Sequence, residues 1–106
     1  NTFLHNWKLI NCKLEYCAFD DLKIKGSEFL DCKIFDSSFI RVDLRESDFS
    51  GTDLKATVFN GCNLEKCNFV GSKRYFIDLK SNRVKRAKFS QPEVLSLLEG
   101  YEIVIE

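Results

Sequence analysis

A large apolar side chain recurs at every fifth residue of this chain. The stretch LRESDFSGTDLKATVFNGCNLEKCNF shows the pattern, and of the 18 positions in this register between Leu4 and Phe89 only Arg74 breaks it. Five helical steps turn about 500°, so a helix would scatter these side chains around its axis. A strand would send them alternately to its two faces. The period therefore requires a different structure.

The most regular part of the pattern supplies the predicted core. Its members, which we call centres, alternate between an aliphatic side chain and phenylalanine: Leu14, Phe19, Ile24, Phe29, Ile34, Phe39, Leu44, Phe49, Leu54, Phe59, Leu64 and Phe69. A second column, two residues before each centre, holds mostly Cys, Ser and Thr. Four glycines lie two residues after a centre, where a tight corner favours glycine. The unit thus turns a corner and repeats, with two columns pointing inward.

A repeating corner of this kind builds a coil whose turns stack about 4.8 Å apart through main-chain hydrogen bonds. If a coil has four sides, the alternation puts Phe19, Phe39 and Phe59 on one wall. On the opposite wall we expect a second stack, made of Phe29, Phe49 and Phe69. Burial of each centre at about 2 kcal/mol supplies most of the driving force.

The stretches SGTDLKATVFNGCNLEKCNF and LDCKIFDSSFIRVDLRESDF resemble the pentapeptide-repeat family, whose loose consensus is A(D/N)LXX. The family prefers Asp or Asn before the centre, and this chain has them at Asp43, Asp48, Asp53, Asn63 and Asn68. Three positions depart from that preference, namely Lys13, Lys23 and Lys33. The resemblance implies an all-β solenoid, a right-handed quadrilateral β-helix of four pentapeptides per coil. We expect one domain over residues 1–106, with repeat coils over 1–89 that become irregular from about residue 70.

Residues 90–106 carry the signals of a C-terminal cap made of a helix and a short strand. Ser90 is a favourable N-cap, Pro92 fits the first turn, and Glu93 completes a capping box. The helix would stop at Gly100 and present an apolar stripe made of Val94, Leu95, Leu97 and Leu98. Beyond it, alternation with glutamate predicts a strand that contains Tyr101, Ile103 and Ile105. The stretch resembles the closing segment of many bacterial family members, and its stripe would cap its own coil or contact a second subunit in a homodimer.

Composition narrows the class of protein. The 106 residues contain 16 basic and 16 acidic side chains, so no net charge favours nucleic acid or a membrane surface as a partner. No apolar run approaches the roughly 20 residues that span a bilayer. All five cysteines lie in the small inward column. We therefore expect free thiols and a cytoplasmic protein.

The sequence offers no catalytic or metal centre. Core packing accounts for the cysteines better than a zinc site, which needs turns that bring the thiolates together. Cys12 and Cys32 lie one coil apart, which leaves a disulfide as an alternative. His5 is the only histidine, and the carboxylates lie on outward columns with no visible pocket. We predict that the protein is not an enzyme and holds no cofactor or metal.

Five large apolar residues lie one position after a centre, where a side chain should be exposed. They are Ile10, Leu30, Phe35, Ile40 and Val70. Twenty-residue stacking puts Ile10, Leu30 and Val70 on one wall and the other two around the next corners. The set is either a partner surface or the ordinary apolar scatter of a folded protein.

A basic segment precedes the predicted cap. Seven basic residues lie between Lys73 and Lys88, opposed only by Asp78. Basic residues interleaved with aromatic ones would suit single-stranded nucleic acid. We favour a solvated cap region instead, so nucleic acid is not the expected partner.

We expect a non-catalytic scaffold that presents rigid walls to an unidentified protein partner. The resemblance also suggests an alternative, because some pentapeptide-repeat proteins mimic B-DNA, bind the type II topoisomerases DNA gyrase and topoisomerase IV, and confer quinolone resistance. Such mimicry needs a dense acidic stripe. In this chain Asp53 would stack with Lys33 and Lys73. Asp21 would stack with Arg41, so we do not expect the acidic residues to align.

Overall fold

The structure, a computed structural model, describes residues 6–106. Nine very short strands follow one another along the chain: β1 (Lys8–Ile10), β2 (Lys13–Glu15), β3 (Ala18–Asp20), β4 (Glu28–Leu30), β5 (Lys33–Phe35), β6 (Ser38–Ile40), β7 (Val58–Asn60), β8 (Asn68–Phe69) and β9 (Lys88–Phe89). The one helix among the described residues is a 3₁₀-helix, Glu93–Tyr101, which five further residues follow. His5 and the centre Leu4 lie outside the described residues.

Every strand pair is parallel and joins residues twenty positions apart. Leu9 pairs with Phe29 in β1 and β4, and Phe39 pairs with Phe59 in β6 and β7. Isolated bridges with the same offset link Lys23 to Asp43 and Asn63 to Arg83 where no named strand runs. Since the repeat is five residues, one coil has four sides. The predicted β-solenoid of stacked four-sided coils is confirmed.

We number the four walls of the solenoid in chain order. Wall 1 contains the centres Leu9, Phe29, Phe49, Phe69 and Phe89. Wall 2 contains Leu14, Ile34 and Leu54. Wall 3 contains Phe19, Phe39 and Phe59. Wall 4 contains Ile24, Leu44, Leu64 and Val84. Walls 1 and 3 therefore lie on opposite sides of the coil, as do walls 2 and 4.

Two columns of phenylalanine rings fill the interior. On wall 3, Phe39 stacks between Phe19 and Phe59 with ring centroids 4.6 and 4.9 Å away. On wall 1 an equivalent column consists of Phe29, Phe49, Phe69 and Phe89. The columns meet edge to face, as Phe39 and Phe49 do at 6.0 Å. Every predicted centre from Ile24 to Phe69 is buried, and Leu14 is half-buried. The predicted stacking on opposite walls is confirmed.

The corners require left-handed backbone at the residue two positions after each centre. All such residues from Asn11 to Gly71 have positive φ, including Tyr16 at 55° and Gly71 at 79°. Glycine adopts this conformation without strain. Corner amides also bond to the next coil, at glycine and non-glycine residues alike, as the Asp31 N–H does to the Ser50 carbonyl at 3.0 Å. This main-chain ladder holds the non-glycine corners in place.

The preference for Asp or Asn before the centre has a local cause. The Asp48 Oδ1 accepts the Ser50 N–H at 2.8 Å, and the Asn68 Oδ1 accepts the Val70 N–H at 2.9 Å. Each side chain thus satisfies the amide two residues later, which closes the turn that leads to the corner. Lysine at this position cannot accept a hydrogen bond, so Lys33 stabilises its corner less.

The repeat breaks at Arg74, as the sequence pattern indicates. Arg74 adopts φ of 54° and its guanidinium pairs with the Asp53 carboxylate on the outside of wall 2. Tyr75 fills the interior instead, 2% exposed, with its ring 5.9 Å from that of Phe69. Its hydroxyl has no hydrogen-bond partner among the described residues, and burial raises the pKa of Tyr75 to about 12. Ile77, fully buried, replaces a small residue of the inward column.

The predicted capping of the C-terminal helix is wrong at both ends. The N-cap is Pro92 without a side-chain hydrogen bond. The Ser90 hydroxyl instead accepts the Gly71 N–H at 2.9 Å, because this amide lies one coil away and lacks a strand partner. At the other end the helix passes Gly100, and Glu102 takes the left-handed conformation that ends it. No helix in residues 6–106 is long and apolar enough to span a membrane.

The predicted C-terminal strand is also wrong. Residues 102–106 form no strand, and Ile103, Val104 and Ile105 are exposed. An alternating pattern makes a strand only where a partner edge is within reach. The left-handed Glu102 ends the helix, and none of the described residues pairs with the segment that follows it.

Candidate interaction surfaces

The interior has no room for chemistry. Thr52 and Ser72 are fully buried and donate to carbonyls of the preceding coil, so they are structural. No group of His, Cys, Asp and Glu among residues 6–106 is arranged to hold a metal ion. The carboxylates that form ion pairs, such as Asp21 and Asp43, lie on the outer surface. The exposed side chains of the walls are therefore the candidate residues for binding a partner.

All five cysteines are free thiols in the structure. Cys12 and Cys32 form no disulfide, and the Cys32 thiol donates instead to the Leu9 carbonyl at 3.4 Å. The Cys67 thiol donates to the Leu44 carbonyl at 2.9 Å, and burial raises the pKa of Cys67 to about 12. Such a thiol is inert at neutral pH. The buried cysteines therefore take the same packing and bonding role as serine and threonine in their column.

Wall 1 brings together three of the five predicted surface residues. Ile10 and Leu30 are directly paired neighbours of β1 and β4. Val70 lies two coils beyond Leu30, and Ser50 occupies the place between them. Ile10 is 49% exposed and Val70 46%, whereas Leu30 is partly covered. The wall 1 column, consisting of Ile10, Leu30 and Val70, is thus a narrow apolar row that Ser50 interrupts.

The other two predicted surface residues face different directions. Phe35 lies on wall 2, where the Arg74 guanidinium covers its ring at 5.6 Å. Ile40 lies on wall 3, between Asp20 and Asn60 of the neighbouring coils. Because wall 3 is opposite wall 1, a single flat partner does not reach all five residues.

Sequence reasoning missed a second apolar row, at the edge between walls 2 and 3. Tyr16 is 80% exposed, Val58 53% and Phe76 44%. Ala18, Ser38 and Val58 are successive Cα partners across β3, β6 and β7. We call this row the wall 3 strip; its members are Tyr16, Ala18, Ser38, Ala56, Val58 and Phe76.

A signal for this strip is present in the sequence. The position before a centre carries Lys, Asp, Asn, Glu or Arg on the other walls, but Ala18, Ser38 and Val58 in the regular coils of wall 3, with Asp78 only in the irregular coil. The predicted surface residues all lie one position after a centre, so they do not include this row. A shallow cleft of about 330 Å³ beside the strip is lined by Val58, Phe76 and Asn60 among others.

Ion pairs interrupt the acidic residues on the walls. Arg41 bonds Asp21 at 2.7 Å and lowers the pKa of that carboxyl, and Arg45 does the same to Asp43 at 2.7 Å. The stacking predicted for Asp53 between Lys33 and Lys73 is present as two parallel bridges. The walls therefore carry mixed charges.

Charge is nevertheless segregated along the solenoid. Residues 15–53 contain ten acidic and five basic side chains, whereas residues 54–90 contain two acidic and nine basic ones. Since each coil takes twenty residues, the first half of the solenoid is negative and the second half positive.

The basic segment between Lys73 and Lys88 does not form one patch. Lys73 and Arg74 lie on wall 2, Arg83 lies on wall 4 and Lys88 on wall 1. Tyr75, whose ring would have been needed for base stacking, is buried in the core. The arrangement does not favour binding of single-stranded nucleic acid.

The apolar residues of the C-terminal helix lie partly in the core and partly on the surface. Leu97 is 7% exposed and belongs to the core, and Val94 packs against it. The Ser96 hydroxyl donates to the Tyr75 carbonyl at 2.9 Å and ties the helix to the irregular coil. Leu95 is 44% exposed and Leu98 is half-buried. The helix therefore packs against its own coil.

Comparison with known proteins identifies the family. A family model described as the pentapeptide repeat region matches residues 1–69, about two thirds of the chain. This chain belongs to the pentapeptide-repeat family. A search of curated sequences gives no significant match.

Solved structures of pentapeptide-repeat proteins are similar to this chain to different degrees. A pentapeptide repeat protein from the thylakoid lumen of Arabidopsis thaliana is 20% identical, with a TM-score of 0.56 over 78% of this chain and 60% of that one. This chain thus spans 60% of the length of the Arabidopsis protein, and the likeness shows the fold alone. The cyanobacterial Rfr23 from Cyanothece 51142 is 12% identical, with a TM-score of 0.34 over 79% of this chain and 88% of that one. QnrB1, a plasmid-mediated fluoroquinolone resistance protein, is 13% identical, with a TM-score of 0.34 over 96% and 99%.

Proposed function

We propose that this pentapeptide-repeat protein is a non-catalytic scaffold that binds a protein partner through wall 1. The observation that carries the proposal is the wall 1 column, in which Ile10, Leu30 and Val70 expose apolar surface on a wall held by main-chain hydrogen bonds. Apolar residues aligned on a rigid surface mark interaction sites more often than scattered ones do.

The surroundings of the column resemble a protein interface. Lys8 and Glu28 flank it on one side, and Asn11 and Asp31 on the other. An apolar centre with a polar rim is the usual anatomy of such a surface. Because the wall is already ordered, binding costs little conformational entropy. Three aliphatic side chains form a small contact, so we expect a complex of micromolar affinity.

We expect the double substitution Leu30→Glu and Val70→Glu to reduce partner capture from a lysate at least tenfold. Two carboxylates within the apolar column would have to be desolvated by the partner. Captured proteins would be quantified by mass spectrometry beside the wild type, with circular dichroism to confirm that both fold.

Lys55→Glu is the matched control, since it adds negative charge to wall 2 and leaves wall 1 unchanged. Capture should stay within about twofold of the wild type for this control. Equal capture by the wild type and the double variant would eliminate wall 1 as the binding surface.

The alternative, mimicry of DNA towards a type II topoisomerase, lacks a supporting charge pattern. The carboxylates of Asp21, Asp43 and Asp53 each pair with an arginine, so they do not form a dense row of negative charge. We expect no rescue of DNA gyrase supercoiling from a quinolone when this protein is added up to tens of micromolar. Dose-dependent rescue would favour mimicry over the scaffold.

A further inference from the structure

We propose that wall 4 of the last coil binds an acidic peptide as an added parallel β-strand, in which an aliphatic residue lies between two acidic ones. This surface is separate from the wall 1 column, so the inference goes beyond the proposed scaffold function. It combines three main-chain groups without a partner, the register of the wall and the charges around it.

Each earlier coil uses the same three main-chain groups of wall 4 to hold the coil that follows. In the coil before the last, the Cys62 carbonyl accepts the Arg83 N–H at 3.0 Å. The Leu64 N–H donates to the Arg83 carbonyl at 2.7 Å, and the Lys66 N–H donates to the Lys85 carbonyl at 2.9 Å. The two coils before it form the same three bonds. One acceptor and two donors therefore join wall 4 from coil to coil.

The last coil has these three groups and no coil beyond it. They are the Asn82 carbonyl and the N–H groups of Val84 and Arg86, and none of them has a main-chain hydrogen-bond partner among residues 6–106. We call them the wall 4 edge. An unpaired sheet edge of this kind is a template for the addition of an extended peptide.

The C-terminal helix is attached to other parts of the last coil. The Ser96 hydroxyl donates to the Tyr75 carbonyl at 2.9 Å, and the Lys80 ammonium lies 5.6 Å from the centre of the Tyr101 ring. Within the described part of the chain, no hydrogen bond joins the helix to residues 82–86. The wall 4 edge therefore keeps its bonding capacity for a ligand.

The register of wall 4 determines how an added strand would lie. Asn63 and Arg83 are partners in a parallel bridge, so the first residue of the added strand takes the corresponding place beyond Arg83. Its N–H donates to the Asn82 carbonyl, and its carbonyl accepts the Val84 N–H. The carbonyl two residues later accepts the Arg86 N–H. These are the three bonds that the earlier coils form.

The same register determines the side chains of the ligand. Its first and third residues point outward, as Arg83 and Lys85 do, and both of these are exposed. Its second residue points inward over Val84, which is half-buried and packs against the core. The second residue is therefore expected to be aliphatic, and the first and third are expected to match the charges of wall 4.

Those charges are positive. Arg83, Lys85 and Arg86 belong to none of the ion pairs of the described residues. Lys66, Lys85 and Arg86 line a common cleft of about 370 Å³ together with Glu65. Carboxylates on the first and third residues of the strand would lie one coil spacing, about 4.8 Å, beyond Arg83 and Lys85. Opposite charges on neighbouring strands stabilise their pairing.

The main chain of the ligand distinguishes a peptide from other anions. A nucleic acid carries negative charge, but its backbone lacks the N–H group that the Asn82 carbonyl would accept. Three hydrogen bonds and two exposed charge pairs make a small contact, so we expect a Kd of about 100 µM. The affinity should fall as salt is added, because the charges become screened.

Fluorescence anisotropy would measure binding of a labelled peptide, Ser-Gly-Glu-Ile-Glu-Gly-Ser with blocked ends, to the full chain at low salt. We expect saturable binding, and none for the peptide with lysine in place of both glutamates. Arg83→Glu with Lys85→Glu should weaken binding at least tenfold. Lys55→Glu with Lys73→Glu makes the same change of net charge on wall 2 and should stay within about threefold of the wild type. Leu30→Glu, on wall 1, should leave binding unchanged.

N-methylated peptides distinguish strand addition from simple attraction of charge. A methyl group on the first glutamate nitrogen removes the donor to the Asn82 carbonyl and should weaken binding at least fivefold. A methyl group on the isoleucine nitrogen is the matched control. The equivalent Leu64 N–H points to the following coil, so this methyl group would point away from the protein and leave binding within about twofold.

Three results would overturn the proposal. The first is absence of saturable binding up to millimolar protein. The second is equal binding of the two methylated peptides, or of a thymidine trinucleotide with the same two negative charges, because charge alone would then attract the ligand. The third is self-association of the chain, measured by sedimentation, that Arg83→Glu with Lys85→Glu abolishes, because a second copy would then occupy the wall 4 edge.

Discussion

Replacement of Phe39 by alanine is expected to lower the free energy of unfolding by about 3–5 kcal/mol. Phe39 is fully buried at the middle of the wall 3 column. Its ring stacks on Phe19 and Phe59 and meets Phe29 and Phe49 edge to face, both at 6.0 Å. Truncation would leave a cavity in an interior that consists of close stacks, and it would also remove ring–ring contacts that exceed simple burial.

Urea unfolding followed by circular dichroism measures this loss. Phe35→Ala is the matched control, because Phe35 lies outside on wall 2 and contacts Arg74 rather than the core. We expect a loss below about 1 kcal/mol for the control. A similarly small loss for Phe39→Ala would show that the phenylalanine column is not the source of stability.

The repeat coils were predictable because every unit sees nearly the same surroundings. Phe29 and Phe49 occupy equivalent places one coil apart, so a period read from the sequence gives the register directly. Alternation of phenylalanine with aliphatic residues then assigns opposite walls. A quasi-one-dimensional structure with contacts only between neighbouring coils makes local pattern and tertiary packing agree.

The prediction failed where that equivalence ends. Arg74 holds the sequence position of a centre, but its guanidinium lies outside and pairs with the carboxylate of Asp53. Tyr75, the next residue, fills the core instead. The predicted capping box at Ser90 is wrong for a related reason, because the Ser90 hydroxyl accepts the N–H of Gly71, which lies one coil away. Helix and strand patterns depend on residues close in the sequence. They do not indicate which hydrogen-bond or ion-pair partner a neighbouring coil provides.

The surface was predicted only in part. Ile10, Leu30 and Val70 share a wall because the period places them there. The wall 3 strip was missed because Ala18 and Val58 differ from most other residues before a centre only in having no charged or amide group.

Replacement of Thr52 by valine is expected to lower the free energy of unfolding by about 2–5 kcal/mol, although valine is the more hydrophobic residue. Thr52 is fully buried in the small inward column. Its hydroxyl accepts the Cys32 N–H at 3.1 Å and donates to the Phe29 carbonyl, both in the preceding coil. Valine has the same shape and offers neither bond, so two buried main-chain groups would lose their partners at about 1–3 kcal/mol each.

The Thr52→Ser substitution distinguishes the contribution of the hydroxyl to stability from that of the methyl group. Serine offers both hydrogen bonds, because the Ser47 hydroxyl accepts the equivalent Ser27 N–H and the Ser72 hydroxyl donates to the equivalent Phe49 carbonyl. Its loss of one methyl group should cost about 1 kcal/mol. Urea unfolding should therefore give the highest free energy of unfolding for the wild type, a lower one for Thr52→Ser and the lowest for Thr52→Val. If valine proved as stable as threonine, burial alone would account for the small column. The order that we expect would instead show that this column stabilises the solenoid by joining each coil to the one before it.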